Sequence, residues 1–561
     1  MFKIILNNTA LDLGKVSVTF ELKNPIFNDI GSFSYPFNLP NTPRNRAALG
    51  FPDKLHYSGD DIRKSHPAEI YFNGLLWRKG VLVVRDANDQ QIKVNFGVGE
   101  GYFYHQIKDL LMNQVDMGGK RLSANYGNPI GDHFFINHYH LLYPDIDFTL
   151  FPVKMPEFFS ENEYYHQQHN DSFINGYINL FITDPIPGPD PTTHFFAWAQ
   201  TVFPFVNYWL KQLMIKINFT VTENVLMSDT ALRQLVFWKN FTISEEWAPT
   251  QEFNPPFQFD LVDGFPDNPV ADFFAHIEKL FRAHLFVDEM ENSAKILLFK
   301  DIFNAAPVDM PVDFQTVNIQ PNNWQGYETM YDAPSGDDYF EKYIKDIGGY
   351  NYRGSVMFHF QLPHHTTTPQ VKDVWFVESE RRYFWWYIRP NLAPINGQWR
   401  FLTSELLTNG EGIHKINLPG IFPRDIHRAV SGNKGQWFTF QDIDKKTEPA
   451  EIRLMFAHGV RSGKPFGSPF NRLVTGQIIA PYSLEWSGEH GLKNQFYNEY
   501  LAFHAATRQA EYLMPLSAGQ LKLIDFSKKY RWDQADWLID SIRFTITNDR
   551  IAPARVTAWK V

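Results

Sequence analysis

The stretch that decides the fold is VSVTFELKNPIFNDIGSFSYPFNLPNTPRNRAALGFP, residues 16–52. Val16, Val18, Phe20 and Leu22 alternate with polar neighbours, the period of two of a half-buried strand. The chain turns at Asn24-Pro25 and resumes as Phe33-Ser34-Tyr35-Pro36-Phe37-Asn38-Leu39-Pro40. Pro36 has no N–H for a ladder, so this second piece suits an edge, a bulge or an interface better than a sheet centre. Asn41-Thr42-Pro43 is a helix-start signal, followed by Arg44-Asn45-Arg46-Ala47-Ala48-Leu49 and a stop at Gly50. Strand, edge strand and short helix make an opening without a catalytic signature, and no other stretch of similar length supplies one.

Outward from this stretch, composition bounds the rest. At 561 residues the chain exceeds what one growing core sustains, so several domains are expected. Hydrophobic residues at 44% and charged residues at 20% describe a folded chain. Aromatics at 16%, led by 51 Phe, favour β structure and broad contact surfaces. The net charge of −10 argues against a surface built to coat nucleic acid, yet suits a channel through which DNA slides without sticking. With no cysteine, disulfides, thiolate catalysis, Cys-ligated zinc and iron–sulfur clusters are excluded. MFKIILNNTALDLGK lacks the small-residue cleavage pattern of a signal peptide, and no segment approaches the roughly 18 apolar residues of a membrane span.

The pattern reads as a β-rich α+β multidomain chain. Residues 1–111 form an N-terminal β domain, with alternating runs at 69–72, 80–84 and 91–96, an Asn73-Gly74 turn and a closing helix in YFYHQIKDLL. Residues 112–193 are irregular, aromatic-rich and end in the proline-rich linker ITDPIPGPDPTTH. Residues 194–305 hold two αβ units, VNYWLKQLMIKINFTVTE and NPVADFFAHIEKLFRAHLFVDE, the second continued by AKILLFKDI. Residues 306–490 return to strands, and 491–561 read as a helix, NQFYNEYLAFHAATRQAEYL, followed by strands beginning with Gln520-Leu521-Lys522-Leu523.

The candidates for chemistry are weak. His138 and His140 would share a face if they lay on a strand, but no carboxylate framework surrounds them, and surface or interface histidines are the better reading. Gly97-Val98-Gly99-Glu100-Gly101 has its third glycine misplaced for a dinucleotide site, and in Gly459-Val460-Arg461-Ser462-Gly463-Lys464 the spacing is too short for a phosphate loop; both read as turns. Glu245-Glu246, Glu289-Glu291 and Asp337-Asp338 offer paired carboxylates for glycoside cleavage, but 62 acidic residues guarantee chance pairs. No catalytic residue, metal ligand or cofactor-binding residue is assigned, no cofactor is expected, and the chain is expected not to be an enzyme.

The order of motifs resembles the tail-tip, baseplate-hub-like structural proteins of tailed phages and prophages of Bacteroidetes-type bacteria. The matching residues at the start are Asn24, Pro25, Phe27, Tyr35, Pro36, Phe37, Leu39, Pro40, Thr42, Asn45, Leu49, Gly50, Phe51 and Pro52. A central DFF…KLF…FVD piece (272–288) and a tail with Leu516-Ser517, Leu521, Asp525-Phe526 and Trp537-Leu538-Ile539 continue the likeness. The resemblance implies tube-like antiparallel β domains, a homotrimeric ring closed by heterologous contacts, and a virion location at the tail tip after synthesis in the host cytoplasm. It implies as partners the tail tube protein, the tape-measure protein and spike or fibre proteins, with DNA only in passage during ejection and host cell entry. Asn24, Pro25, Phe27, Tyr35, Pro36, Phe37, Leu39 and Pro40 are the expected assembly segment. The alternative is a β-rich carbohydrate-binding or glycoside-cleaving protein whose exposed Trp and Tyr read sugars.

Overall fold

The computed structural model describes residues 2–28, 31–54, 65–122, 138–151, 201–238, 258–322, 452–461, 464–471, 477–486, 488–547 and 550–561, together with short strands between 153 and 195 and between 326 and 419. Its largest sheet has fourteen strands: β1 (Phe2–Leu6), β2 (Thr9–Ala10), β3 (Val18–Lys23), β4 (Ser32–Ser34), β5 (Phe37–Pro40), β6 (Ser65–Phe72), β7 (Leu75–Ala87), β8 (Gln91–Val98), β9 (Val308–Asp309), β10 (Gln315–Gln320), β11 (Gln509–Met514), β12 (Tyr530–Trp532), β13 (Ala535–Ile546) and β14 (Ala554–Lys560). The main path runs β2-β1-β6-β7-β8-β4-β3-β13-β14-β11-β10, with β5 on β8, and β12 bridging β13 and β9. All its ladders are antiparallel except β9 on β12. The chain is therefore a β-rich α+β protein.

The period of two in the opening stretch sets this architecture. Val18, Phe20 and Leu22 of β3 are buried, and they lie opposite Ile546, Phe544 and Ile542 of β13. Phe20 stacks on Phe544 with ring centroids 5.7 Å apart, and the edge of Trp77 closes on both rings. Strands from the first hundred residues and the last sixty thus share one sheet and one core. Pro36 sits at the break between β4 and β5, outside any ladder. β4 itself is flanked by β3 and β8, so this part of the predicted edge lies inside the sheet.

Local signals act as their chemistry requires. Helix α1 (Pro43–Ala48) starts where Thr42 accepts the Asn45 N–H, and Gly50 follows its end at φ 74°. Asn73 and Gly74, at φ 51° and 83°, turn β6 into β7 as a type I′ hairpin needs. Helix α2 (Glu100–Ile107) begins two residues before the predicted stretch.

The second core gathers the αβ region. Helices α3 (Val206–Lys216) and α4 (Val270–Phe281) turn Trp209, Phe273 and Ile277 inward. Trp209 packs edge-on against Phe273 at 4.8 Å and donates from Nε1 to the Met112 carbonyl. The hairpin Ala283–Asp288 and Ser293–Leu298 pairs with Thr220–Asn224, which runs parallel to Ser293–Leu298. The two αβ units thus complete one three-stranded sheet. Ile146, Phe148, Leu150 and Phe151 from the irregular segment, and Leu454 to Ala457 from the later β region, join the same cluster. A five-stranded antiparallel meander from Gly349–Tyr352 to Gln398–Phe401 falls in the region 306–490 where strands are expected.

Two predicted elements differ. Gln520-Leu521-Lys522-Leu523 is not a strand but lies in the helix Ala518–Leu523, started by reciprocal Ser517–Gln520 hydrogen bonds. The predicted helix over 494–513 ends at Ala506, and its last residues become β11 because β14 and β10 pair with them on either side.

Candidate functional site

The opening motif is a joint between the two cores. Asn24 is fully buried. Its Nδ2 donates to the Ile539 carbonyl at 2.7 Å and the Phe526 carbonyl at 3.2 Å, while its Oδ1 accepts the Ile26 N–H at 2.9 Å. Its backbone N–H bonds the Asp540 carbonyl, and Asn28 Nδ2 reaches the Asp540 carboxylate at 2.7 Å. An asparagine suits the position because one side chain donates to the Ile539 carbonyl at a bulge in β13 and accepts the Ile26 N–H of its own turn. Ile26 enters the αβ core, and Phe27 packs against Phe503 and Trp559. Burial, then the charge of Arg282, keeps His284 well below its usual titration range, with the backbone of Pro25 acting in the opposite direction.

The rest of the expected assembly segment is divided. Phe37 and Leu39 are core residues of the large sheet. Tyr35 is partly buried; its hydroxyl donates to Glu21, which also pairs with Arg543 at 3.2 Å, and the Arg543 guanidinium lies 4.6 Å from the Tyr35 ring centre. Pro25 and Pro40 are half-buried and Pro36 is exposed. Asn24, Phe37 and Leu39 thus hold the chain to itself.

Beside the joint lies a cavity of about 340 Å³ lined by Arg78, Gly99, Glu100, Glu289, Lys295 and Asp525 among others. Arg78 on β7 pairs with Glu289 at 2.9 Å and donates to the Leu521 carbonyl at 3.0 Å. Lys79 Nζ reaches the Met290 carbonyl at 2.9 Å. Lys295 sits between Glu223 at 3.2 Å and Asp525 at 3.5 Å. These contacts fasten the large sheet, the αβ hairpin and the C-terminal segment together. Burial pushes the Asp525 carboxyl up, but hydrogen bonds from Ser527 and the charges of Lys295 and Lys528 bring it below the usual range.

Glu100 opens α2 and is only 5% exposed. Burial, aided by the charge of Glu289 and opposed by backbone N–H groups and Arg78, pushes its carboxyl up to about 8. The glycine run that carries it serves close packing. Gly99 takes φ 56° where strand turns into helix, and a Cβ on Gly101 would stand 2.6 Å from the Ser32 carbonyl oxygen. The reading of this run as a turn therefore agrees with the structure, while the buried acid inside it carried no sequence signal.

The other candidates do not converge. His138 and His140 lie in a turn, not on a strand. Among the described residues no group of three metal-ligating side chains gathers. Glu289 is tied to Arg78, Glu291 lines the cavity, and Glu245-Glu246 and Asp337-Asp338 lie outside the described residues. Gly459, at φ 65°, lies within the strand Leu454–Arg461, at the irregularity between Ala457 and Val460 in its pairing with Lys464–Ser468, and not in a phosphate loop. No described helix is long and apolar enough to cross a membrane.

A second surface was not singled out by the sequence. β10 ends the path of the large sheet, and all six of its residues are exposed. Val317 and Ile319 are 46% and 57% exposed, and no charged residue lies in the strand. Hydrophobic β-branched residues on an uncharged edge are unusual, because isolated proteins commonly blunt such edges with charge or proline.

No protein-family model matches the chain, and no curated protein matches it. Solved structures similar to it include the 43 kDa tail protein of prophage MuSo2 from Shewanella oneidensis, at 8% identity over 99% of this chain and 95% of that one, with a TM-score of 0.30. The tail protein from Neisseria meningitidis MC58 is similar at 7% identity over 100% of this chain and 96% of that one, with a TM-score of 0.29. TM-scores this low fall short of a shared fold.

Proposed function

We propose that this chain is a non-enzymatic structural protein of a phage tail, placed at the tip in a hub-like ring that joins the tail tube to a spike or fibres and leaves a channel for DNA. The observation that carries this reading is the meeting of the family-like motifs. Asn24 of the opening motif bonds Phe526 and Ile539 of the closing one, and the cavity beside them is walled by Phe286, Val287 and Asp288 of the central one. Motifs hundreds of residues apart in the sequence form one joint, which supports reading them as parts of one structural unit. The large antiparallel sheet is the tube-like part in this reading, and the αβ unit is the part it carries.

Contact with a second copy is assigned to β10. Its apolar side chains lie at the end of a sheet, and its lack of charge spares two chains of net charge −10 a repulsion at the edge. The carbohydrate alternative has less to rest on in the described residues. Trp77, Trp209, Trp238, Trp486, Trp532 and Trp537 are all buried and cannot stack on a sugar.

The test is the composition of phage particles from a host carrying the gene. Peptides of this protein in purified tails, with antibody label confined to one tail end, are expected. Its absence from particles, together with retention or hydrolysis of polysaccharide by the purified protein, would overturn the proposal.

A further inference from the structure

The cavity at the joint is lined by two buried glutamates from separate elements and by the one arginine that pairs with the second of them. Glu100 stands at the start of α2, Glu289 follows the strand Ala283–Asp288, and Arg78 comes from β7. Glu100 and Glu289 are 5% and 1% exposed, so water does little to screen one from the other. Arg78 is already engaged by Glu289 and the Leu521 carbonyl. We infer that this joint is a proton-operated latch: with Glu100 protonated the sheet, the αβ hairpin and the 518–526 segment stay closed on one another, and loss of that proton sets two buried carboxylates against a single guanidinium and loosens them.

The charged and titratable groups around the cavity come from each element that lines it, and Glu289 and Arg78 are the charges that act on Glu100. β7 supplies Arg78, with Lys79 beside it held by the Met290 carbonyl, and the end of the strand Ala283–Asp288 and the turn after it supply Asp288, Glu289 and Glu291. The following strand supplies Lys295, which is held by Glu223 and Asp525. The C-terminal segment adds Lys522 and Asp525, and α2 adds Tyr102, which is raised by burial and by the charge of Glu289. Lys295 is committed to Glu223 and Asp525, leaving Arg78, already paired with Glu289, as the guanidinium that lines the cavity with both glutamates.

The sign follows from linkage. The Glu100 carboxyl is raised to about 8 when the joint is closed and returns toward its ordinary value of 4.5 when the joint opens and water reaches it. The closed form therefore binds the proton more tightly. Its advantage is full below the ordinary value and is lost as pH rises through about 8. In that window the opening equilibrium changes by up to about tenfold per pH unit for one proton. The device stands on the joint alone and holds whether or not the chain assembles into tails.

Hydrogen exchange of the full-length protein tests it, with rates corrected for the intrinsic pH dependence of amide exchange. In the wild type, opening of peptides covering 286–293 and 518–526 is expected to rise at least tenfold between pH 6 and pH 8, while peptides from β3 and β13 change little. Glu100→Gln keeps the shape of the protonated acid and is expected to remove the rise. Glu289→Gln leaves Arg78 to Glu100 and is expected to shift the rise to lower pH, which serves if the first variant does not fold. Equal opening at both pH values in the wild type, or an unchanged rise in both variants, would overturn the latch.

Discussion

Asn24→Ala measures what the opening motif does. Asn24 is wholly buried and makes three side-chain hydrogen bonds, to Ile539, Phe526 and Ile26. Each buried bond is worth about 1 kcal/mol net, and a partner left unpaired costs about 1–3 kcal/mol. Alanine leaves two carbonyls and one N–H without this partner at a fully buried position. The loss should be about 3 kcal/mol or more. Urea unfolding followed by tryptophan fluorescence reports the change, since Trp77 and Trp537 lie in the core of the large sheet. Because a chain with two cores need not unfold in one step, exchange of the amides in β3 and β13 should be read alongside. Both should report a weakened junction between those strands and the αβ unit. A loss below about 1 kcal/mol, with exchange unchanged, would show that the motif does not hold the cores together.

Other substitutions separate core from surface. Phe37→Ser should cost about 3–5 kcal/mol in the same unfolding assay, since Phe37 is a core residue; near-wild-type stability with lost self-association would make it an assembly residue instead. Gly101→Ala drives a Cβ onto the Ser32 backbone and should cost about 1–3 kcal/mol, read as a lower melting temperature. Val317→Lys with Ile319→Lys should leave melting nearly unchanged, because both positions are exposed, but should abolish self-association in sedimentation velocity. His458 is held down to about 4 by burial, so its contribution to stability is full above its ordinary value of 6.5 and is lost as pH falls through about 4; His458→Gln should flatten that part of a pH–melting profile.

What the sequence shows and hides follows from the range of each interaction. The alternation of Val18, Phe20 and Leu22, the Thr42 cap, the Asn73-Gly74 turn and the apolar stripe of α4 are local, and each is legible. The pairing of β3 with β13 is not, because its partners, such as Thr19 and Thr545, lie 526 positions apart and many strands could compete for the edge. Gln509–Met514 carries helical neighbours, yet two flanking strands override them. The Ser517-Ala518-Gly519-Gln520 capping signal was present and could have identified the helix read as a strand. At the joint, Asn24 was visible only as a turn residue, since hydrophobic patterning is blind to a buried amide. Glu100 was invisible as a site because its partners Glu289 and Arg78 come from distant elements. β10 escaped notice because its exposure depends on where the large sheet ends.

Mass photometry of the purified chain decides whether it assembles with itself. One dominant species is expected at a fixed multiple of the 65.4 kDa chain, three in a hub-like ring, collapsing to single chains in the Val317→Lys, Ile319→Lys variant. A stable 65.4 kDa monomer at every concentration, retaining or cleaving polysaccharide, would contradict it.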